Sequence, residues 1–183
     1  MQGVLNIKKA PPDEGFEFVL AGRSNAGKSS ALNCLAKNKK LARTSKTPGR
    51  TTEINFFKVT EEIKLVDLPG YGFSKMSVDK KRNLDTFLGS YFSSRQSLCA
   101  AIIFMDIRHP LKNSDIQMME LCHKYDVPFI PVLTKSDKLI RSAVSGSIKD
   151  VEEKLNSRSV IVTSSKDDEG FDKLSKKILE FAT

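Results

Sequence analysis

The sequence predicts an α/β fold, a doubly wound and mostly parallel six-stranded sheet with one antiparallel strand and helices on both faces. Three observations carry that prediction. Short apolar runs alternate with segments of helical spacing along most of the chain. The run from Cys99 to Met105 is continuously apolar, as a strand covered on both faces requires. The first apolar run leads into Gly22-Arg23-Ser24-Asn25-Ala26-Gly27-Lys28-Ser29, which fits the phosphate-binding pattern G-x-x-x-x-G-K-[ST].

Taken in order, residues 1–15 form an N-terminal extension, broken by Pro11-Pro12-Asp13-Glu14-Gly15. Phe16 to Ala21 reads as the first strand, and Ser30 to Ala36 continues the glycine loop as a helix. From Lys37 to Arg50 the chain holds six basic residues (Lys37, Lys39, Lys40, Arg43, Lys46 and Arg50) and no acid. Glu53–Val59 and Glu62–Asp67 read as a hairpin, which supplies the antiparallel strand. Leu68-Pro69-Gly70-Tyr71-Gly72 cannot continue either element. Ser77–Phe92 is a predicted helix with a basic start, Lys80-Lys81-Arg82. The strand Cys99–Met105 is followed by a helix over Ser114–Tyr125, with Ile116, Met119 and Cys122 on one side. Val127–Thr134 is the next buried strand, its prolines placed near the entry. A polar helix over Ala143–Leu155, a strand over Ser159–Thr163 and an amphipathic helix over Gly170–Phe181 complete the pattern. Phe171, Leu174, Ile178 and Phe181 share one face of that last helix. Residues 16–183 are read as one domain.

Bulk properties narrow the partners. Thirty Lys and Arg against twenty-two Asp and Glu give a net charge of +8, which favours an anionic partner such as RNA. Cys34, Cys99 and Cys122 lack any C-x-x-C spacing and read as reduced structural thiols. No apolar run approaches the length of a membrane span, and no signal-peptide core is seen, so a cytoplasmic protein is expected.

The glycine loop specifies phosphate by its backbone N–H groups and the helix start behind it. In such a loop Lys28 reaches the β- and γ-phosphates and the Ser29 hydroxyl ligates Mg²⁺. Further motifs stand at the carboxyl ends of predicted strands, where open α/β sheets bind ligands. Asp67-Leu68-Pro69-Gly70 is D-x-x-G: the Asp assists Mg²⁺ and the Gly N–H senses the γ-phosphate. Thr134-Lys135-Ser136-Asp137 supplies a carboxylate that can accept two hydrogen bonds from guanine N1–H and the 2-amino group, donors that adenine lacks. Thr163-Ser164-Ser165 ends the last strand, where backbone N–H groups can meet guanine O6. The order and spacing of these motifs predict a guanine-nucleotide-binding domain, a P-loop NTPase of the Ras-like GTPase type.

As a set, Gly22 to Ser30, Thr44-Ser45-Lys46-Thr47-Pro48-Gly49-Arg50-Thr51, Ile54-Asn55-Phe56-Phe57, Asp67 to Gly72 and Thr134 to Asp137 resemble the EngB (YihA/YsxC) family. These are bacterial GTPases of the TrmE–Era group, connected with large ribosomal subunit assembly and with cell division and septation. The resemblance spans roughly residues 15–183. It implies GTP or GDP and Mg²⁺ as ligands, with Ser29, Thr51 and Asp67 around the metal and Lys28, Thr51 and Gly70 serving hydrolysis. It adds Ser30, Gly49, Arg50, Thr52 and Glu53 to the nucleotide site. Thr134 stands where Asn is commoner among GTPases, which weakens one contact to the P-loop or base. Ser165 stands where Ala is commoner, at little cost for a backbone contact.

Many small GTPases orient water with a Gln after D-x-x-G. Here that position is Tyr71, and no arginine finger in cis can be identified, although Arg23 and Arg50 are close in sequence. Asn25 matches the position that in TrmE-like GTPases helps hold K⁺, so a potassium ion near Asn25 is a candidate substitute, with simple stabilisation of the loop as the alternative. The resemblance implies slow intrinsic turnover and a monomer acting on ribosomal RNA or a large-subunit precursor. Two other readings compete: a nucleotide-gated interaction module for division proteins, and a small-molecule kinase, which would leave Thr134 to Asp137 without a purpose. His109 and His123 read as surface or packing histidines, with Arg108-His109-Pro110 at a strand end where a position near the nucleotide face is open.

Overall fold

The computed structural model describes residues 2–4, 9–38, 54–69 and 78–182. Among them, strands β1 (Gln2–Val4), β2 (Phe16–Gly22), β3 (Ile54–Lys58), β4 (Ile63–Asp67), β5 (Leu98–Asp106), β6 (Phe129–Thr134) and β7 (Ile161–Val162) alternate with five helices. The helices are α1 (Lys28–Leu35), α2 (Val78–Ser94), α3 (Asn113–Lys124), α4 (Arg141–Leu155) and α5 (Phe171–Glu180). The sheet order is β1-β3-β4-β2-β5-β6-β7. Only β3 runs against its neighbours; the central strands β4, β2, β5, β6 and β7 are parallel. The six expected strands are therefore present. A seventh is added at the edge by the N-terminal segment, where Gln2, Gly3 and Val4 pair with Phe56, Asn55 and Ile54.

Side-chain alternation along β2 divides the core between the two faces. Val19 and Ala21 join Val66, Ile103, Met105 and Leu133 beneath Phe87, Tyr91, Met118 and Cys122 of α2 and α3. Phe18 and Leu20 join Leu65, Ile102, Phe104 and Val132 beneath Leu32 of α1 and Phe171, Leu174 and Ile178 of α5. The crossovers thus place α2 and α3 on one face and α1 and α5 on the other, the doubly wound arrangement that follows from right-handed βαβ connections.

Two details differ from the pattern-based expectation. On α3 the buried positions are Asp115, Met118, Met119 and Cys122, while Ile116 is exposed. The core-facing stripe starts from Asp115 because its carboxylate turns back to accept from the Lys112 backbone N–H at 3.0 Å, capping the helix. Pro131 lies inside β6 rather than at its entry. It is tolerated because β7 begins opposite Val132, so no residue across that edge needs the missing N–H.

The amino ends of the parallel strands carry a polar clamp. Glu17 is fully buried and accepts from Tyr91 Oη at 2.6 Å and from Arg95 Nε and Nη2 at 2.9 and 2.6 Å. Arg95 also donates to the Pro11 carbonyl at 2.8 Å, and Lys64 to the Glu14 carbonyl at 2.7 Å. The Asp13 carboxylate accepts from the Gln96 and Ser97 backbone N–H groups. This network fastens the segment before β2 to the base of the sheet, on the pole away from the glycine loop.

Candidate functional site

The glycine loop leaves β2 at Gly22 and enters α1 at Lys28. Its path demands glycine at two places for different reasons. A Cβ on Gly22 would stand 2.8 Å from the Phe104 carbonyl oxygen of β5. Gly27 has φ +90°, and a Cβ there would press on the Thr134 side chain at 3.3 Å. Asn25 also adopts positive φ, +61°. The loop thus curls tightly against the carboxyl ends of β5 and β6.

Asp67, the last residue of β4, is in register beside Leu20 of β2, and its carboxylate meets the Lys28 ammonium. Both side chains are almost fully buried, at 8% and 6% exposure. Two charges so far from water need a compensating partner, and here each is the other's. Ser29 follows in the first turn of α1, half-buried. Ammonium, carboxylate and hydroxyl come from the glycine loop and the neighbouring strand end, where the sheet topology opens its ligand crevice. Leu68 and Pro69 are buried behind Asp67, and the Leu68 N–H donates to the Leu20 carbonyl. Gly49, Arg50, Thr51, Thr52, Glu53 and Gly70, assigned to the site from sequence, lie outside the described residues, as do Tyr71 and residues 39–48 of the basic loop.

The Thr134 to Asp137 segment closes over the loop from the other side. Thr134, 4% exposed, donates its hydroxyl to the Ala26 carbonyl at 2.6 Å, with the Met105 carbonyl 3.2 Å away. Thr134 thus still reaches the P-loop, through a hydroxyl at the end of β6 that lies within bonding distance of Ala26. Lys135 takes a left-handed backbone conformation, φ +63°, which sends its ammonium back to the Asn25 carbonyl. Ser136 to Lys138 form a single 3-10 turn, tied to the next strand by the Ser136 N–H on the Thr163 carbonyl at 3.2 Å.

That tie brings the third segment to the second. The Asp137 carboxylate lies 2.8 Å from Lys138 Nζ and 3.2 Å from the Ser164 hydroxyl. The hydrogen bond from Lys138 holds the Asp137 carboxyl below its usual range, against a smaller opposing effect of burial, so it is an ionised acceptor at neutral pH. Thr163 and Ser164 are buried and Ser165 is exposed. An ionised carboxylate can accept the paired N–H donors of guanine, while backbone N–H groups of the neighbouring turn can donate to its O6.

One residue of this corner escaped the sequence reading of the site. Asp106, the last residue of β5, accepts from Lys135 Nζ at 2.9 Å and from Arg108 Nε and Nη2 at 2.9 and 2.7 Å. Burial alone would raise the Asp106 carboxyl, but these hydrogen bonds outweigh it and hold the group far below the carboxylate range. The available signal was an acid ending a continuously apolar strand at the carboxyl edge of the sheet. Arg23, Asn25, Asp106, Arg108, His109 and Lys135 line a cavity of about 170 Å³ alongside the loop. His123 is exposed on α3 and packs in a T-shaped pair with Phe129, with centroids 5.5 Å apart. Cys34, Cys99 and Cys122 form no disulfide, and Cys122 is buried.

Comparison with known proteins decides among nucleotide-binding families. Residues 17–135 match the family model described as 50S ribosome-binding GTPase. The chain is 48% identical over 172 residues to a probable GTP-binding protein EngB of Stenotrophomonas maltophilia, covering 91% of this chain and 86% of that protein. The chain belongs to the EngB family of GTP-binding proteins. A second EngB, from Mannheimia succiniciproducens, is 47% identical over 182 residues, 97% of this chain and 89% of its own length. A crystal structure of a probable GTP-binding protein engB superposes with a TM-score of 0.73 at 24% identity, covering 91% of this chain and 98% of that one, a likeness of fold. As an EngB-family member the chain is a GTPase that binds guanine nucleotide. Among the described residues no helix is long and apolar enough to cross a membrane.

Proposed function

We propose that this chain is a GTP-driven switch in assembly of the large ribosomal subunit, acting in the cytoplasm as a monomer and linked through ribosome supply to normal division and septation. Residues 16–183 form the GTPase domain in this reading, with 1–15 as its extension. The observation that carries the switch is the convergence of Lys28 and Asp67 on one buried point beside Ser29. Incoming phosphate oxygens would take Asp67's place as partner of Lys28, leaving the Asp67 carboxylate available to a metal ion. The donor set fits Mg²⁺, a hard cation that takes oxygen ligands. Ser29, Asp67 and, from the family resemblance, Thr51 would hold it, and it supplies neutralisation of the developing phosphate charge. Lys28 binds the β- and γ-phosphates, the Gly70 N–H senses the γ-phosphate, and Asp137 with the Thr163 to Ser165 backbone selects guanine.

By the family resemblance, loss of the γ-phosphate would release the loop of Thr51 and the segment after Gly70 together, an order-to-disorder switch. The ribosomal partner is supported by the matched family's description and by a surplus of eight positive charges. The six bases between Lys37 and Arg50 and the Lys80-Lys81-Arg82 cluster are the parts of the sequence suited to RNA phosphates. With Tyr71 in place of a water-orienting Gln, intrinsic hydrolysis is slow, and Asn25 would hold a K⁺ whose charge would serve where an arginine finger serves elsewhere, unless Asn25 only stabilises the loop.

Sedimentation through sucrose gradients tests the proposal. Purified protein is mixed with ribosomal particles and either a non-hydrolysable GTP analogue or GDP. Migration with large-subunit particles in the analogue alone is the expected result. Absence from ribosomal fractions in both nucleotide states overturns the ribosomal role.

A further inference from the structure

Lys135 is the cation that braces the glycine loop, yet its bond to the Asn25 carbonyl is a bond to a neutral acceptor. Its side chain is 28% exposed, and its backbone sits in the left-handed region that non-glycine residues enter only when neighbouring contacts hold them there. Among the described residues one anionic group reaches it, the carboxylate of Asp106 at 2.9 Å, itself only 18% exposed. Arg108, two residues on, grips the same carboxylate with both arms of its guanidinium, and the Arg108 backbone N–H adds a third bond at 3.1 Å. That leaves Asp106 little rotational freedom and aims Oδ2 at Lys135.

We propose that Asp106 is a positioning residue for nucleotide retention: anchored by Arg108, it holds Lys135 on the Asn25 carbonyl and so clamps the glycine loop to the base-recognition segment. The inference rests on the guanine-nucleotide reading of the site and extends it. It adds one residue and one function, a slow release of nucleotide that comes from an ion pair beside the ligand rather than from contact with it. Three strand ends meet in this clamp: β2 through Asn25, β5 through Asp106 and β6 through Lys135. Without the carboxylate, the ammonium is left with a carbonyl and water, and water competes for both. Because the clamp touches the loop behind the phosphates and the side chain under the base, it acts alike on GDP and GTP. A γ-phosphate sensor would tell them apart.

The test is stopped-flow release of methylanthraniloyl-GDP and methylanthraniloyl-GTP from the full chain and from Asp106→Asn, Lys135→Ala and the double variant. Asn keeps the shape at 106 and removes the charge. Asp106→Asn should release both nucleotides about tenfold faster, the size expected for losing a hydrogen bond between charged groups. The double variant should release no faster than Lys135→Ala, since both changes break the same clamp. The nucleotide-free melting temperature of Asp106→Asn should stay within about 3 °C of the parent, a change of about 1 kcal/mol at this chain length. Unchanged release, release rates that multiply in the double variant, or a melting temperature lower by about 10 °C or more would each overturn the positioning role. A parent chain that retains neither nucleotide would instead overturn the guanine-nucleotide reading, with the clamp falling as its consequence.

Discussion

Replacing Arg95 by Met removes the main counter-charge of a carboxylate that has no access to water. Glu17 is 0% exposed and Arg95 only 6%, so solvent cannot screen the loss. In the variant Glu17 retains the Tyr91 hydroxyl at 2.6 Å and the more distant Lys64 ammonium at 3.6 Å. The Tyr91 phenol remains a donor throughout, because burial and the neighbouring carboxylate push its ionisation far above the ordinary range. The two strongest charged bonds, at 2.6 and 2.9 Å, are gone. Breaking a buried pair from one side costs about 3–5 kcal/mol. At roughly 2–4 °C per kcal/mol for a chain of this size, thermal unfolding should move down by about 6–20 °C. Scanning calorimetry measures it. Adding Glu17→Gln removes the stranded charge and should recover at least about 1 kcal/mol of the loss. Guanine-nucleotide affinity below the transition should not change, since five residues of extended strand, about 16 Å, separate Glu17 from Gly22. A melting shift under about 3 °C for the single variant, or no recovery in the double one, would refute a charge-based account of the clamp.

Other substitutions probe the site itself. Thr134→Val keeps the side-chain volume and strands the Ala26 carbonyl that its hydroxyl satisfies at 2.6 Å. An unmade buried hydrogen bond of about 1–3 kcal/mol weakens GDP binding roughly 5- to 150-fold by titration calorimetry, and unchanged affinity would deny Thr134 its bracing role. Lys28→Ala should abolish tight nucleotide binding, and Asp137→Asn should move preference from guanine towards xanthine nucleotides in competition assays. Full GTP affinity in either variant would remove that residue from the site. Hydrolysis should be faster in K⁺ than in Na⁺ buffer at equal ionic strength; equal rates would leave Asn25 as a loop stabiliser only.

What the sequence determined by itself was whatever is written in short stretches. The glycine loop, the D-x-x-G turn and the Thr134 to Asp137 segment are contiguous motifs, and the run from Cys99 to Met105 could only be a strand covered on both faces. Their order along the chain was enough to assemble an α/β sheet with its ligand edge, because right-handed crossovers leave few alternatives. Ile116 was misplaced on α3 because a three-residue spacing fits two neighbouring stripes, and only the capping carboxylate of Asp115 selects between them.

Tertiary structure alone decided the pairs that bridge long separations. Asp106 meets Lys135 across 29 residues, and Thr134 meets Ala26 across 108. Glu17 reads as one stray acid in an apolar strand until the fold brings Arg95 and Tyr91 to it from more than seventy residues away. A buried charge is tolerable only beside its partner, and partnership is a property of distance in space. The local sequence therefore named the groups that face the nucleotide, while the close-packed sheet chose the groups that hold them still.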